Sequence, residues 1–169
     1  MLRHDPASIG LDLQAGGWVQ VTDLLNALAE HGKKMTRSEL VALVEADTKG
    51  RYTMAHGRIR AAQGHSIEVD LGLDPATPPT RLFHGTSPAS LRGIRRTGLN
   101  PGSRRHVHLS VDAETATDVG ARRGDPVIVV VEAGRAHDDG VVFYLAENGV
   151  WLTESLDPRY LVFPERQGL

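Results

Sequence analysis

Cysteine is absent from the 169 residues, which excludes disulfides, thiolate metal sites and a thiol nucleophile. Long apolar runs are missing too. None approaches the roughly 20 residues needed to cross a bilayer, and no signal-peptide pattern opens the sequence. Lysine is scarce, with only Lys33, Lys34 and Lys49 against 16 arginines. Neither the glycine fingerprint of a dinucleotide-binding βαβ unit nor a Walker phosphate loop occurs. A membrane span, a disulfide scaffold, a Rossmann domain and a P-loop enzyme are thereby set aside. A cysteine-free chain fits a reducing compartment, and a cytoplasmic location is expected.

What is present reads as an ordinary globular protein, 40% hydrophobic and 24% charged, long enough for one large or two small domains. The formal net charge of −2 argues against a general nucleic-acid-coating protein. The distribution says more. Residues 1–79 carry eight basic and ten acidic side chains, residues 80–123 eight and three, and residues 124–169 three and eight. The middle stretch is therefore a local anion attractor. Guanidinium forks suit bidentate phosphate capture. A genome rich in G and C would also write Arg for Lys, so position rather than count has to carry the argument.

Two lobes are expected. In the first, residues 1–74, Thr22 is read as the cap of a helix with Leu24, Leu25, Leu28 and Ala29 on one face, ending at Gly32. A second helix opens on a Thr36–Glu39 capping box and ends at Lys49-Gly50. A hairpin follows, 51–55 and 58–62, turning at His56-Gly57. Two short helices followed by a hairpin predict a winged-helix lobe, usually a nucleic-acid platform; a small lobe with no such role is the competing reading. Residues 75–79, rich in proline, are expected as the linker. The second lobe, residues 80–169, is expected to be strand-rich. Strands are predicted at 81–84, 106–110, 126–133, 141–145, 149–153 and 160–163, with helices from Ser87-Pro88 to Gly98 and over about 111–123. The fold class is α+β.

Five segments stand out for chemistry: Leu2-Arg3-His4-Asp5-Pro6; Arg60-Ala61-Ala62-Gln63-Gly64-His65-Ser66; His84-Gly85-Thr86; His106-Val107-His108-Leu109-Ser110; and Val119-Gly120-Ala121-Arg122, followed later by Asn148-Gly149-Val150-Trp151-Leu152-Thr153. Any one alone is weak. In this order, over residues 2 to about 163 and with Lys49-Gly50-Arg51-Tyr52 in the same pattern, the chain closely resembles the Tpt1/KptA family of RNA 2′-phosphotransferases.

That resemblance implies a winged-helix lobe joined to an ADP-ribosyltransferase-like lobe, with NAD consumed as co-substrate. It implies two steps. An internal RNA 2′-phosphate displaces nicotinamide from NAD, giving a 2′-phospho-ADP-ribosylated RNA. The ribose 2″-hydroxyl then attacks that phosphate, releasing a 2′-hydroxyl RNA and ADP-ribose 1″,2″-cyclic phosphate. The catalytic set it implies is Arg3, His4, Arg60 and Arg122. These suit the chemistry, because a 2′-phosphomonoester carries close to two charges and charge-assisted bonds would also stabilise a crowded phosphorus. Arg3 and His4 are assigned mainly to phosphate binding, and Arg60 and Arg122 to the second step. A further role open to His4 is general acid to the departing 2′-oxygen.

For the dinucleotide the resemblance implies His84, Gly85, Thr86, Ser87, Gly98, His108, Leu109, Ser110 and Val150. His84 is expected to meet the nicotinamide ribose, and Gly85 to let the dinucleotide approach the backbone. Val150 stands where protein-modifying relatives carry Glu. An anionic acceptor needs no base, and a carboxylate there would repel it; Glu147 and Glu154 lie close by in sequence. No metal is expected. His106 and His108 could begin a zinc site, but no third ligand stands at sensible spacing.

Duller expectations stand beside these. Arg3 and His4 sit where a frayed terminus is common, and relatives usually carry a Ser- and Lys-rich helix ahead of this pair. His65 and Ser66 are expected to orient the turn after Arg60. Arg95, Arg96, Arg104 and Arg105 either line an RNA path or form a solvated face. Arg123 competes with Arg122 for one role. The expected partners are RNA bearing an internal 2′-phosphate and NAD, with no membrane, and the chain is expected to be a monomer. Two alternatives remain open: a transferase that modifies terminal phosphates and stops after one step, and a regulator that only senses NAD.

Overall fold

The computed structural model describes residues 1–67, 69–121 and 125–164. The described residues are mixed α/β with three small antiparallel sheets, consistent with the expected α+β class. The chain divides into two compact units, Met1–Leu73 with Ser103–Arg105, and Asp74–Gly102 with His106–Leu169. Among the described residues no helix is long and apolar enough to cross a membrane.

In the first unit, β1 (Val19–Gln20) leads into α1 (Val21–Glu30), α2 (Arg37–Glu45), β2 (Tyr52–Ala55) and β3 (Arg58–Ala61), with strand order β1-β3-β2. Val21, Leu24 and Leu28 recur at helical spacing and turn one face of α1 into a core shared with Ile9, Leu11, Leu40 and Ile59. Thr22 does not cap this helix. The helix starts at Val21, with Gln20 in the cap position two residues before Thr22, and the Val21 amide donates to Gly57 O at 2.9 Å, so the hairpin turn supplies the acceptor a side chain would otherwise provide. The Thr36–Glu39 capping box forms as expected, with bonds of 2.7 and 3.2 Å. Its helix stops at Glu45, short of Lys49-Gly50. There Asp47 accepts from Arg51 Nε at 2.8 Å and turns the chain towards β2. At the hairpin, His56 (φ 50°) and Gly57 (φ 74°) both take positive φ, which a tight two-residue turn between twisted strands requires.

The amino end is packed. Leu2 is buried in this core, and Met1 O accepts from the His4 and Asp5 amides at 3.1 and 3.0 Å. The frayed terminus is thereby overturned: the apolar Leu2 carries the Arg3-His4 pair with it.

The second unit runs β4 (Leu82–Thr86), α3 (Pro88–Thr97), β5 (Val107–Leu109), α4 (Ala113–Gly120), β6 (Val127–Val131), α5 (Ala133–Asp138), β7 (Tyr144–Leu145), β8 (Trp151–Thr153) and β9 (Leu161–Val162). Two sheets, β4-β6-β9 and β5-β8-β7, enclose Leu82, Leu109, Val129, Val131, Phe143, Leu156 and Tyr160. The Ala76 amide, within the proline-rich stretch, donates to Phe143 O at 2.8 Å. Most strands are shorter than expected. The expected strand 126–133 ends on Ala133, the first residue of α5, and no helix is expected over 134–138. Ala133 and Ala136 are fully buried and the Gly134 amide donates to Thr80 O at 3.1 Å, so small side chains allow a close turn that apolar patterning alone does not show.

Candidate functional site

Five of the nine residues from Arg58 to Ser66 carry polar side chains. β3 delivers two of them, Arg58 and Arg60, and its register decides the surroundings of Arg60. Val19 pairs with Ile59 and Gln20 with Arg58, so Trp18 falls opposite Arg60, one step earlier. Arg58 and Arg60 share a face because side chains alternate along a strand. Their guanidinium carbons lie 5.2 and 4.6 Å from the Trp18 ring centroid, within cation–π range. Arg60 Nη1 donates to Gly16 O at 3.2 Å and Leu71 O at 3.4 Å, and the residue is only 8% exposed. Gly16 (φ +76°) folds over this pair, and a Cβ there would lie 3.1 Å from Trp18 and 3.4 Å from Arg60 Nη1.

His65 sits at the centre of the cluster, buried. Burial, and then the charges of Arg3, His4 and Arg60, push its pKa down to about 4. Three of the four expected catalytic residues therefore converge around one imidazole, which stays neutral at ordinary pH. His65 Nε2 and Arg3 Nε are both buried with no hydrogen-bond partner. Arg3 Nη2 donates to Arg51 O at 3.3 Å, and its guanidinium carbon stands 5.9 Å from the Tyr52 ring centroid. The Arg3 pKa is lowered, chiefly by burial; Tyr52 opposes this, while the like charges of Arg51 and Arg104 add to it. A guanidinium remains cationic under such pressure. A concentration of positive charge with the buried Arg3 Nε donor still unsatisfied favours an arriving anion.

Arg122, the fourth expected catalytic residue, lies outside the described residues, as do Arg123 and the expected helix end at Gly124.

In the second unit, β4 and β5 meet through Phe83 and Ser110, which exchange two backbone bonds of 2.9 Å. This brings His84 beside His108, whose carbonyl accepts from His84 Nδ1 at 3.0 Å. A carbonyl only accepts, so Nδ1 carries a proton there and the ring orientation is fixed. β5 pairs with β8 through Leu109 and Trp151, so Val150 follows opposite Ser110. His84, His108, Ser110 and Val150 thus gather at one end of the β5–β8 pair. The Leu109 side chain is buried in the core. Thr86 ends β4, and Ser87 precedes α3 with its hydroxyl 2.9 Å from that of Ser90.

The two glycines of this set serve packing. A Cβ on Gly85 would lie 1.9 Å from Ala116 O of α4, and one on Gly98 1.9 Å from Leu156 O. The close approach of helix to strand is by itself a reason for glycine at position 85. Among the described residues no group of three or more His, Asp or Glu side chains is placed to hold a metal ion. His106 instead meets the Tyr144 ring edge-on at 6.0 Å. Of the exposed arginines, Arg95 packs on Phe163 at 4.2 Å, whereas Ser103–Arg105 groups with the first unit.

Patterning did not show Trp18 or the role of Ser66, whose hydroxyl lies 2.9 Å from His4 Nδ1. For Trp18 the only available signal was a lone aromatic before a strand.

Comparison with known proteins gives the family. A family model described as "RNA 2'-phosphotransferase, Tpt1 / KptA family" matches residues 1–155. A Streptomyces coelicolor protein called "Probable RNA 2'-phosphotransferase" is 53% identical over 163 residues, covering 96% of this chain and 90% of its own length. Proteins of the same description from Streptomyces griseus and Agrobacterium fabrum are 49% and 50% identical; each alignment covers 95% of this chain, with 90% and 88% of the relative. Coverage of this extent, spanning every described element of both units up to Thr153, means that the chain belongs to the Tpt1/KptA family of RNA 2′-phosphotransferases.

Proposed function

We propose that this protein is an NAD-dependent RNA 2′-phosphotransferase. It moves an internal RNA 2′-phosphate to NAD, leaving a 2′-hydroxyl RNA, nicotinamide and ADP-ribose 1″,2″-cyclic phosphate. The observation that carries this reading is the convergence of Arg3, His4 and Arg60 on the neutral His65, with Arg3 Nε and His65 Nε2 buried and lacking a protein partner. A buried donor such as Arg3 Nε without an acceptor is costly, and a doubly charged phosphate supplies acceptors for cations gathered this closely. The first unit is read as a winged-helix lobe and the second as an ADP-ribosyltransferase-like lobe.

NAD, when bound, supplies an electrophilic ribose carbon with a neutral leaving group. The His84–His108 arrangement suits it, since the carbonyl that accepts from Nδ1 fixes the orientation of the His84 ring. Arg3 and His4 bind and orient the RNA phosphate for attack. Val150, half-buried, adds no charge that would repel it. In the second step Arg60, fixed by Trp18 and two carbonyls, offsets charge on the phosphorus oxygens, and family resemblance assigns Arg122 to the same step. His4 then delivers a proton to the departing 2′-oxygen.

The test is incubation with NAD and an oligoribonucleotide bearing one internal 2′-phosphate, with product analysis. Cyclic phosphorylated ADP-ribose together with dephosphorylated RNA supports the reading. RNA that stops as an ADP-ribose adduct would make the protein a one-step transferase, and absence of nicotinamide release would defeat NAD use altogether.

A further inference from the structure

One residue holds both members of the Arg3-His4 pair. The Ser66 hydroxyl lies 2.9 Å from His4 Nδ1, and the Ser66 amide donates to Arg3 O at 2.9 Å. Gly64, at φ +82°, turns the chain after β3 so that His65 points into the unit and Ser66 outwards. We propose that Ser66 is the positioning residue of His4, fixing its ring so that Nε2 faces the RNA phosphate. This deepens the phosphotransferase reading and rests on the role given there to His4.

The chemistry of the partner matters. His4 and Ser66 are both exposed, so without this bond the imidazole would sample several rotamers and lose the alignment that a reacting group needs. With Nδ1 occupied, Nε2 is the nitrogen left for substrate. A hydroxyl is donor and acceptor at once. It accepts from Nδ1–H when the ring is cationic and when Nε2 has given up its proton, and donates to Nδ1 when a neutral ring carries its proton on Nε2. A carboxylate in its place would favour the cation alone. Ser66 therefore holds the ring in both protonation states, as a residue that gives up a proton and regains it within each turnover requires. His65, buried between Arg60 and Ser66 in sequence, anchors the segment and keeps the hydroxyl in place.

Ser66→Ala and Ser66→Thr test this through two readouts. In single-turnover assays with NAD and 2′-phosphorylated oligoribonucleotide, Ser66→Ala should slow the second step roughly 10- to 100-fold without changing the KM for NAD, and Ser66→Thr should recover most of the rate. In nitrogen-resolved NMR of the imidazole, the His4 shifts should change in Ser66→Ala and return in Ser66→Thr. Wild-type rate in Ser66→Ala, or threonine as slow as alanine with unchanged His4 shifts, overturns the proposal. A wild-type protein that makes no product defeats the function reading instead, and the NMR comparison then judges Ser66 by itself.

Discussion

The Arg60 guanidinium carbon lies 4.6 Å from the centroid of the Trp18 indole, on the strand face it shares with Arg58. An arginine held by an aromatic face and two backbone carbonyls has lost most of its rotamer freedom before any ligand arrives, and that preorganisation is what anion stabilisation requires. Trp18→Leu keeps an apolar residue but removes the ring. Turnover should drop about 10-fold with the KM for NAD little changed, and stability should fall by about 1–2 kcal/mol. Steady-state kinetics alongside urea unfolding checks both, and an unchanged kcat would show that Arg60 does not depend on the ring.

The buried His65 links stability to pH. Its folded pKa of about 4 lies below the roughly 6.5 of an unfolded chain, so the unfolded state binds more protons between those values. The contribution is fully present above about pH 6.5 and is lost as pH falls towards 4, with an upper bound of about 3 kcal/mol. His65→Asn should therefore unfold with a shallower dependence across this window. Parallel stability curves for the two proteins would count against this account of His65.

Gly85→Ala introduces a Cβ where the Ala116 carbonyl already stands. Since backbone must move, the variant should lose about 2 kcal/mol or more, and α4 should shift from β4 in its crystal structure. Thermal unfolding at the wild-type temperature would contradict the packing argument.

Arg122→Ala separates the two chemical steps. With the first step intact and the second impaired, ADP-ribosylated RNA should accumulate during a time course resolved by gel or mass spectrometry. Normal turnover would remove Arg122 from the catalytic set. The complementary change, His84→Ala, should slow nicotinamide release itself, and unaltered release would argue against the ribose contact.

Much of the fold was legible in advance because it rests on local chemistry. The Thr36–Glu39 box, the His56-Gly57 turn and the Ser87-Pro88 helix start are each decided within a few residues. Local signals failed where a distant group intervened. The Gly57 carbonyl displaced Thr22 as the cap of α1, and Asp47 turned the chain before Lys49. α5 needed the buried fit of Ala133 and Ala136, which apolar patterning does not show.

For the site, sequence by itself determined the inventory: which arginines and histidines are available, that no thiol takes part, and the order of motifs that marks the family. It could not say who holds whom. That His65 is neutral, that Trp18 lies against Arg60 and that Ser66 grips His4 depend on strand register and burial, which bring together groups tens of residues apart. Desolvation and like-charge repulsion act through space, so only the folded chain decides them.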